Sequence, residues 1–298
     1  MSETEPTSPT VNAANGVRIV TDSACDLPDD VVRAHHISVV PLTIRFGTEE
    51  FVDRLELSTA QFWARCAVEP DLPETAAPPP GAFETVYRDL IADGATGIVV
   101  ISLSGALSAT LQSAQLAART VAEDPSVAET PIMCVDSRTI TLGLGTIVVA
   151  CAELAANGAE CAEVAALAES LSTRTRVIGA LDTLENLKKG GRIGNAKALL
   201  ASALSIKPII EVVDGVVEQA GRQRTRSKAL ALLVERVRAY EGRIEHLSVL
   251  HADCSDVDDF VTMVEPLAAN SIMVGEIGPV IGTHAGRGTI GVAFHEVQ

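Results

Sequence analysis

Short apolar runs rich in β-branched residues mark the first half of the chain, at Val17–Thr21, Ile37–Phe46, Gly97–Leu103 and Ile132–Val135. Their length and composition predict strands buried inside a sheet. Between and after them lie alanine- and leucine-rich stretches, Ala106–Ala122, Thr146–Ala156 and Cys161–Ser172, which predict helices. Strands alternating with helices imply an α/β unit over residues 17–175, with a mainly parallel sheet covered by helices on both faces. Leu72–Pro80 breaks the rhythm with prolines and reads as a surface or cleft loop.

From Val177 the pattern changes. Val177–Asp182 and Ile206–Val213 predict strands, and Asp214-Gly215 is a two-residue hairpin signal before a further strand at Val216–Gln219. A helix over Thr225–Tyr240, a strand over His246–His251 and a helix over Asp256–Ala269 follow. Strands at Ile272–Val274 and Thr289–Phe294 complete an α+β domain over 176–298. Residues 1–16 are rich in Ser, Thr, Pro, Asn and Glu, and lack the basic and apolar regions of a signal peptide. They read as a disordered tail.

Composition narrows the functional classes. A net charge of −16 opposes nonspecific attraction to nucleic acid and leaves at most transient contact with an anionic membrane. Aromatic residues at 3 % are too few for a stacking platform. The six cysteines are scattered without a Cys-x-x-Cys pair, so a disulfide framework is not expected and the cytoplasm is the expected compartment. The six histidines form no zinc-type spacing, so neither a metal nor any other cofactor is expected.

Several segments could carry chemistry. Ile277 to Gly291 places one histidine, His284, among five glycines, which suggests a strand end and turn. The imidazole there is either a donor at the mouth of an apolar site or a structural histidine. Asp22, Ser23 and Asp26 follow the first strand, where they either face a binding crevice or satisfy turn amides and cap the next helix. Ser102, Ser104, Gly105, Ser108, Thr110 and Ser113 lead from a strand into a helix, as an anion cradle or as a hydroxyl-rich cap. Thr75 lies on the proline loop, placed either to bond a ligand or to punctuate the chain. Gly143-Leu-Gly145 is too short for a dinucleotide fingerprint. A Ser108, His284 and Asp22 triad can be drawn, but no nucleophile elbow accompanies it. Lys188 to Lys228 holds nine Lys/Arg against three acids (Glu211, Asp214, Glu218), which in so acidic a chain predicts a basic face. It is either a solvated edge or a surface for phosphate or an acidic partner, with Arg192, Arg224 and Arg226 as the candidate contacts.

In this order the segments resemble the DegV family of bacterial fatty-acid-binding proteins, from about Val17 to Val292. The resemblance rests on Thr21 to Ser23 with Asp26 to Pro28, on Thr75 and Pro78, and on Ser104 to Ser113. It continues through Asp136-Ser137 with Gly143 and Gly145, Leu181–Ile193, Lys207-Pro208, Arg224–Lys228 and Val280–Gly291. It implies two α/β-type domains enclosing a long-chain fatty acid, with the acyl tail in an apolar tunnel between them. It also implies that a threonine and a serine, here matching Thr75 and Ser108, hold the carboxylate, and that the turn histidine matches His284. Some members of that family present the acid to a separate fatty-acid kinase that makes the acyl phosphate. By that resemblance the protein is a carrier in phospholipid metabolism and not itself the catalyst. An acyl hydrolase using the same cleft is the alternative from another class, and an anion-binding regulatory module is a third. The chain departs from the family pattern at Ala76-Ala77, at Gly105, at Ala109 and at Arg287.

Overall fold

Along the strand Gly97–Ser102 successive side chains enter two different cores. Ile98 and Val100 pack with Phe83, Tyr87, Ala114 and Val121, whereas Val99 and Ile101 pack with Ile147, Val148, Val164 and Leu171. A strand buried on both faces needs this unbroken apolar run, because successive side chains point to opposite sides of the pleat. The structure is a computed structural model describing residues 16–69, 71–127, 129–201 and 206–297. Apart from Gly16, the tail expected over residues 1–16 therefore lies outside the described residues.

The first half supplies strands β1 (Val17–Asp22), β2 (Ser38–Val40), β3 (Thr43–Phe46), β4 (Glu49–Val52), β5 (Glu74–Ala76), β6 (Gly97–Ser102) and β7 (Ile132–Asp136). The second supplies β8 (Thr175–Ala180), β9 (Lys207–Val213), β10 (Val216–Gln223), β11 (Ile244–His251), β12 (Met273–Glu276) and β13 (Ile290–Glu296). A parallel sheet runs in the order β2-β1-β6-β7, with helices Pro80–Ala92 and Thr110–Ala122 on one face and Thr141–Ala156 and Cys161–Arg174 on the other. A six-stranded sheet runs β10-β9-β8-β13-β11-β12, antiparallel except for the β11–β12 pair. A small antiparallel sheet has β3 between β4 and β5.

The second sheet also divides its residues by parity. Ile178, Ile290, Val292 and Phe294 pack under helices Arg226–Arg238 and Val257–Val264, with Leu230, Leu233 and Phe260. Val177, Leu250 and Ala293 face the other way and join the core of the parallel sheet. Helix Thr141–Ala156 is caught between the two sheets, and every residue from Thr141 to Val148 is buried. Gly143 and Gly145 serve that position. A Cβ on Gly143 would lie 2.4 Å from Val177 Cγ2, and one on Gly145 would lie 2.7 Å from the Cys25 carbonyl oxygen. The pair is a close-packing device.

Four expectations change. The run 37–46 splits at Pro41 and Leu42 into β2 and β3, which belong to different sheets. The helix expected from Thr146 begins at Thr141, because the glycines that discouraged a helical reading are what allow the close approach. The proline loop contains β5, in the proline-free stretch between Pro73 and Pro78. The segment around His284 is a helix, Pro279–Ala285, with Pro279 in its first turn and Gly286 at φ 81° closing it. Among the described residues no helix is long and apolar enough to cross a membrane.

Candidate ligand site

Residues from both halves enclose a cavity of about 160 Å³. Leu42, Leu103 and Ile140 come from the first half, and Ile210, Val217 and Ile281 from the second. Thr75, Ser108, Arg192 and His284 also line it, and among the described lining residues Arg192 is the only one with a permanent charge. Thr75, Arg192 and His284 line in addition an open polar cleft of about 640 Å³, together with Arg45, Lys189 and Asn186. The three side chains thus stand where an apolar interior meets a polar mouth.

Each is held by its element. Thr75 sits in β5, paired with Ile44 of β3, and its hydroxyl lies 3.0 Å from His284 Nε2. A hydroxyl bonded to imidazole retains capacity for a second partner, such as a carboxylate oxygen. His284 lies in the last turn of helix Pro279–Ala285, whose Gly282 presses on Trp63: a Cβ there would be 2.9 Å from the indole. Asn186 donates to the Thr283 carbonyl oxygen at 3.0 Å and steadies the same turn. Gly190 backs the ring, for a Cβ at Gly190 would lie 2.3 Å from His284 Nδ1. Nδ1 itself is buried without a hydrogen-bond partner. Arg192 donates from Nε to the Leu107 carbonyl oxygen at 3.1 Å and from Nη1 to that of Gly190 at 2.7 Å, which fixes the guanidinium at the mouth.

Ser108 precedes helix Thr110–Ala122; its Oγ lies 2.9 Å from Thr110 Oγ1 and accepts from the Thr110 N–H at 3.4 Å. Ser104 is committed elsewhere, donating to the Gly215 carbonyl oxygen at 2.7 Å and so tying the β9–β10 turn to the first half. Asp22 accepts from Ser102 Oγ, Leu103 N and Ala24 N at 2.7, 2.8 and 3.1 Å, and Ser23 accepts from Leu42 N at 3.1 Å. These are the turn roles considered for Asp22 and Ser23. The hydrolase triad is not assembled: His284 Nε2 is occupied by Thr75, and Asp22 by the end of β6.

The arginines expected to act together have different surroundings. Arg192 lines the cavity, and Arg224 is exposed just before helix Arg226–Arg238. Arg226 is absorbed internally. It binds both Asp256 carboxylate oxygens at 2.5 and 2.8 Å, donates to the Gly288 carbonyl oxygen at 2.5 Å and approaches Asp182 at 3.5 Å. Lys207 is paired with Asp182 at 2.7 Å. Part of the basic excess is therefore neutralised locally; at the mouth Arg45 is paired with Glu74, Asp71 lines the same cleft, and Lys189 and Arg192 are the further cations.

Sequence reasoning missed Asn186 and the buttress at Gly190, and it assigned Arg192 to a partner rather than to the cavity. The Lys188 to Arg192 run with its Gly-Gly was the available signal, but nothing in it points to His284, almost a hundred residues away. The titration of His284 also shifts. Burial, then the Arg192 charge, pushes it down to about 4, so the ligand-free imidazole is neutral near pH 7 rather than titrating there. Because the unfolded chain takes up this proton first, the contribution of His284 to stability is complete above about pH 6.5 and lost as pH falls toward 4. Denaturant midpoints of wild type and His284→Ala should therefore converge between pH 6.5 and 4.5. A constant gap would contradict the neutral buried imidazole.

Known proteins resemble this chain along nearly its whole length. A family model for uncharacterised DegV-family proteins matches residues 16–297. A DegV domain-containing protein of Streptomyces coelicolor is 36 % identical over 282 residues, covering 93 % of this chain and 97 % of the relative. A fatty-acid-binding DegV family protein from Thermus thermophilus superposes with a TM-score of 0.86 at 32 % identity, covering 95 % of this chain and all of that one. DegV of Bacillus subtilis, described as a fatty acid binding protein, gives a TM-score of 0.81 at 27 % identity over 95 % of this chain and 99 % of its own. With a family model matching nearly the full length and a relative 36 % identical over 93 % of the chain, this chain belongs to the DegV family.

Proposed function

We propose that the protein binds one long-chain fatty acid, with the tail in the apolar cavity and the carboxylate at Thr75, Ser108 and His284, and presents it to a partner fatty-acid kinase. The observation that carries this reading is the meeting of apolar walls and a polar mouth at Thr75, Arg192 and His284. A tail contributes about 0.8 kcal/mol per buried CH₂, so affinity comes from the walls while the mouth sets orientation. Hydroxyls and a neutral imidazole orient a carboxylate without stranding charge in the empty pocket. Arg192 supplies the opposite charge at the surface end, where an attacking carboxylate and an incoming phosphoryl group both need it. The open cleft beyond gives a kinase access to that end while the tail stays buried.

Head-group variants test it. Hydrogen bonds to a charged group contribute roughly 1.5–3 kcal/mol, so Ser108→Ala and Thr75→Val should each raise the Kd for a long-chain fatty acid by about 10- to 100-fold while measurable binding persists. With a kinase of this type, acyl phosphate formation should fall further, because a misaligned carboxylate is poorly presented. Wild-type affinity in both variants would overturn the head-group assignment.

A further inference from the structure

The helix that carries His284 begins against a buried acidic cluster that the ligand cavity does not use. Asp22, Asp26 and Asp53 are 1, 7 and 1 % exposed. Asp22 is fully engaged by β6, as described above. Asp26 Oδ1 accepts from the Gly278 N–H at 3.0 Å, immediately before Pro279, while Asp26 Oδ2 and Asp53 Oδ1 have no partner. One guanidinium, that of Arg54, faces the group. It is shared among the Leu27 carbonyl oxygen at 2.8 Å, the Asp29 carboxylate and the Cys25 sulfur at 4.0 Å. Glu276 of β12 is the further charged residue along the adjoining cleft.

Three buried carboxylates around one shared cation cannot all ionise at low cost. Burial outweighs the Thr141 hydroxyl and the Gly278 N–H, which both favour the carboxylate of Asp26. An ionised Asp26 would thus be a buried charge beside Asp53 that only hydration, and hence movement of the helix start, relieves. Burial, with the Asp53 charge adding to it, pushes Asp26 up to about 8, while burial pushes Asp22 and Asp53 up to about 6. The cluster also braces the opposite wall. Leu42, which lines the cavity, donates to Ser23 Oγ at 3.1 Å and accepts from the Asp53 N–H at 2.9 Å.

We propose that Asp26 is a positioning residue for the ligand site: as a neutral acid it anchors helix Pro279–Ala285, and loss of its proton loosens that helix and weakens ligand binding. The ligand half of this statement rests on the lipid reading above; the helix half does not. The folded protein keeps the Asp26 proton to about pH 8 and the unfolded chain only to 3.8. Stability attributable to this group therefore falls as pH rises through that interval and is level above it.

The test follows amide exchange of Gly282 and Gly286, whose N–H groups bond the Gly278 and Gly282 carbonyl oxygens at 2.8 Å. Ligand-free protein is compared at pH 6.5 and 9, with intrinsic exchange rates corrected. Opening gains roughly a factor of ten per pH unit up to about pH 8 and is level beyond it, so protection in wild type should drop about thirtyfold between pH 6.5 and 9. About a tenth of the protein keeps the Asp26 proton at pH 9, so the Kd for palmitate should rise about tenfold. Asp26→Asn, which keeps the acceptor but cannot ionise, should show neither change. Asp53→Asn removes the neighbouring charge and should move the wild-type transition to lower pH. An Asp26→Asn protein that loses protection as wild type does, or a transition unmoved by Asp53→Asn, overturns the proposal. If protection behaves as stated and palmitate does not bind, the lipid reading fails while the hold of Asp26 on the helix stands.

Discussion

Replacing Gly143 by alanine is expected to destabilise the protein by about 2–3 kcal/mol, which lowers Tm by roughly 3–5 °C in a chain of this size. Helix propensity alone predicts the opposite sign, because alanine in a helix interior gains about 0.8–1 kcal/mol over glycine. Packing decides. The added Cβ would lie 2.4 Å from Val177 Cγ2 and 2.5 Å from Thr139 Oγ1, in a helix wedged between two sheets. Val177 belongs to β8 and Thr139 to the connection after β7, so relieving the clash means shifting one sheet against the other. Chemical denaturation reads the result, and a neutral or stabilised Gly143→Ala protein would show that the contact relaxes freely.

Gly190→Ala is expected to act on the site and leave the fold alone. Gly190 has φ −75° and ψ −6°, a conformation open to alanine, so the backbone tolerates the change. Its Cβ would nevertheless sit 2.3 Å from His284 Nδ1 and 2.9 Å from Cε1. The imidazole must move, the contact with Thr75 breaks, and fatty-acid affinity should fall by about tenfold or more. In the double variant with His284→Ala the clash has no target. Gly190→Ala should then add almost nothing to the loss already caused by His284→Ala. Additive losses would mean that Gly190 acts through something other than the ring.

What could be read from the sequence follows from where the information lies. The parallel sheet was legible because β1, β6 and β7 are short apolar runs followed by helices, and a strand buried on both faces tolerates little else. The hairpin between β9 and β10 was legible because Asp214-Gly215 supplies the two positive φ angles, 48° and 81°, that its turn needs. The helix bearing His284 was not. Its glycines and proline are poor helix formers, and they are there for contacts with Trp63 and Asp26, which sequence neighbours do not reveal. Thr75, Ser108 and His284 were nominated through the family resemblance, since composition and spacing alone left each with a structural alternative. The ion pairs of Arg226 were hidden for a related reason. A basic cluster in sequence says nothing of Asp182 and Asp256, which arrive from other strands and loops to neutralise it.

The central claim, that the cavity holds a fatty acid, is tested most directly by native mass spectrometry of protein purified without added lipid, with extraction and identification of whatever is carried. The account predicts one long-chain fatty acid per chain, retained in wild type and reduced when the head group is disturbed by Thr75→Val or Gly190→Ala. Protein that carries no lipid, and that takes up none when long-chain fatty acids are supplied, would contradict it.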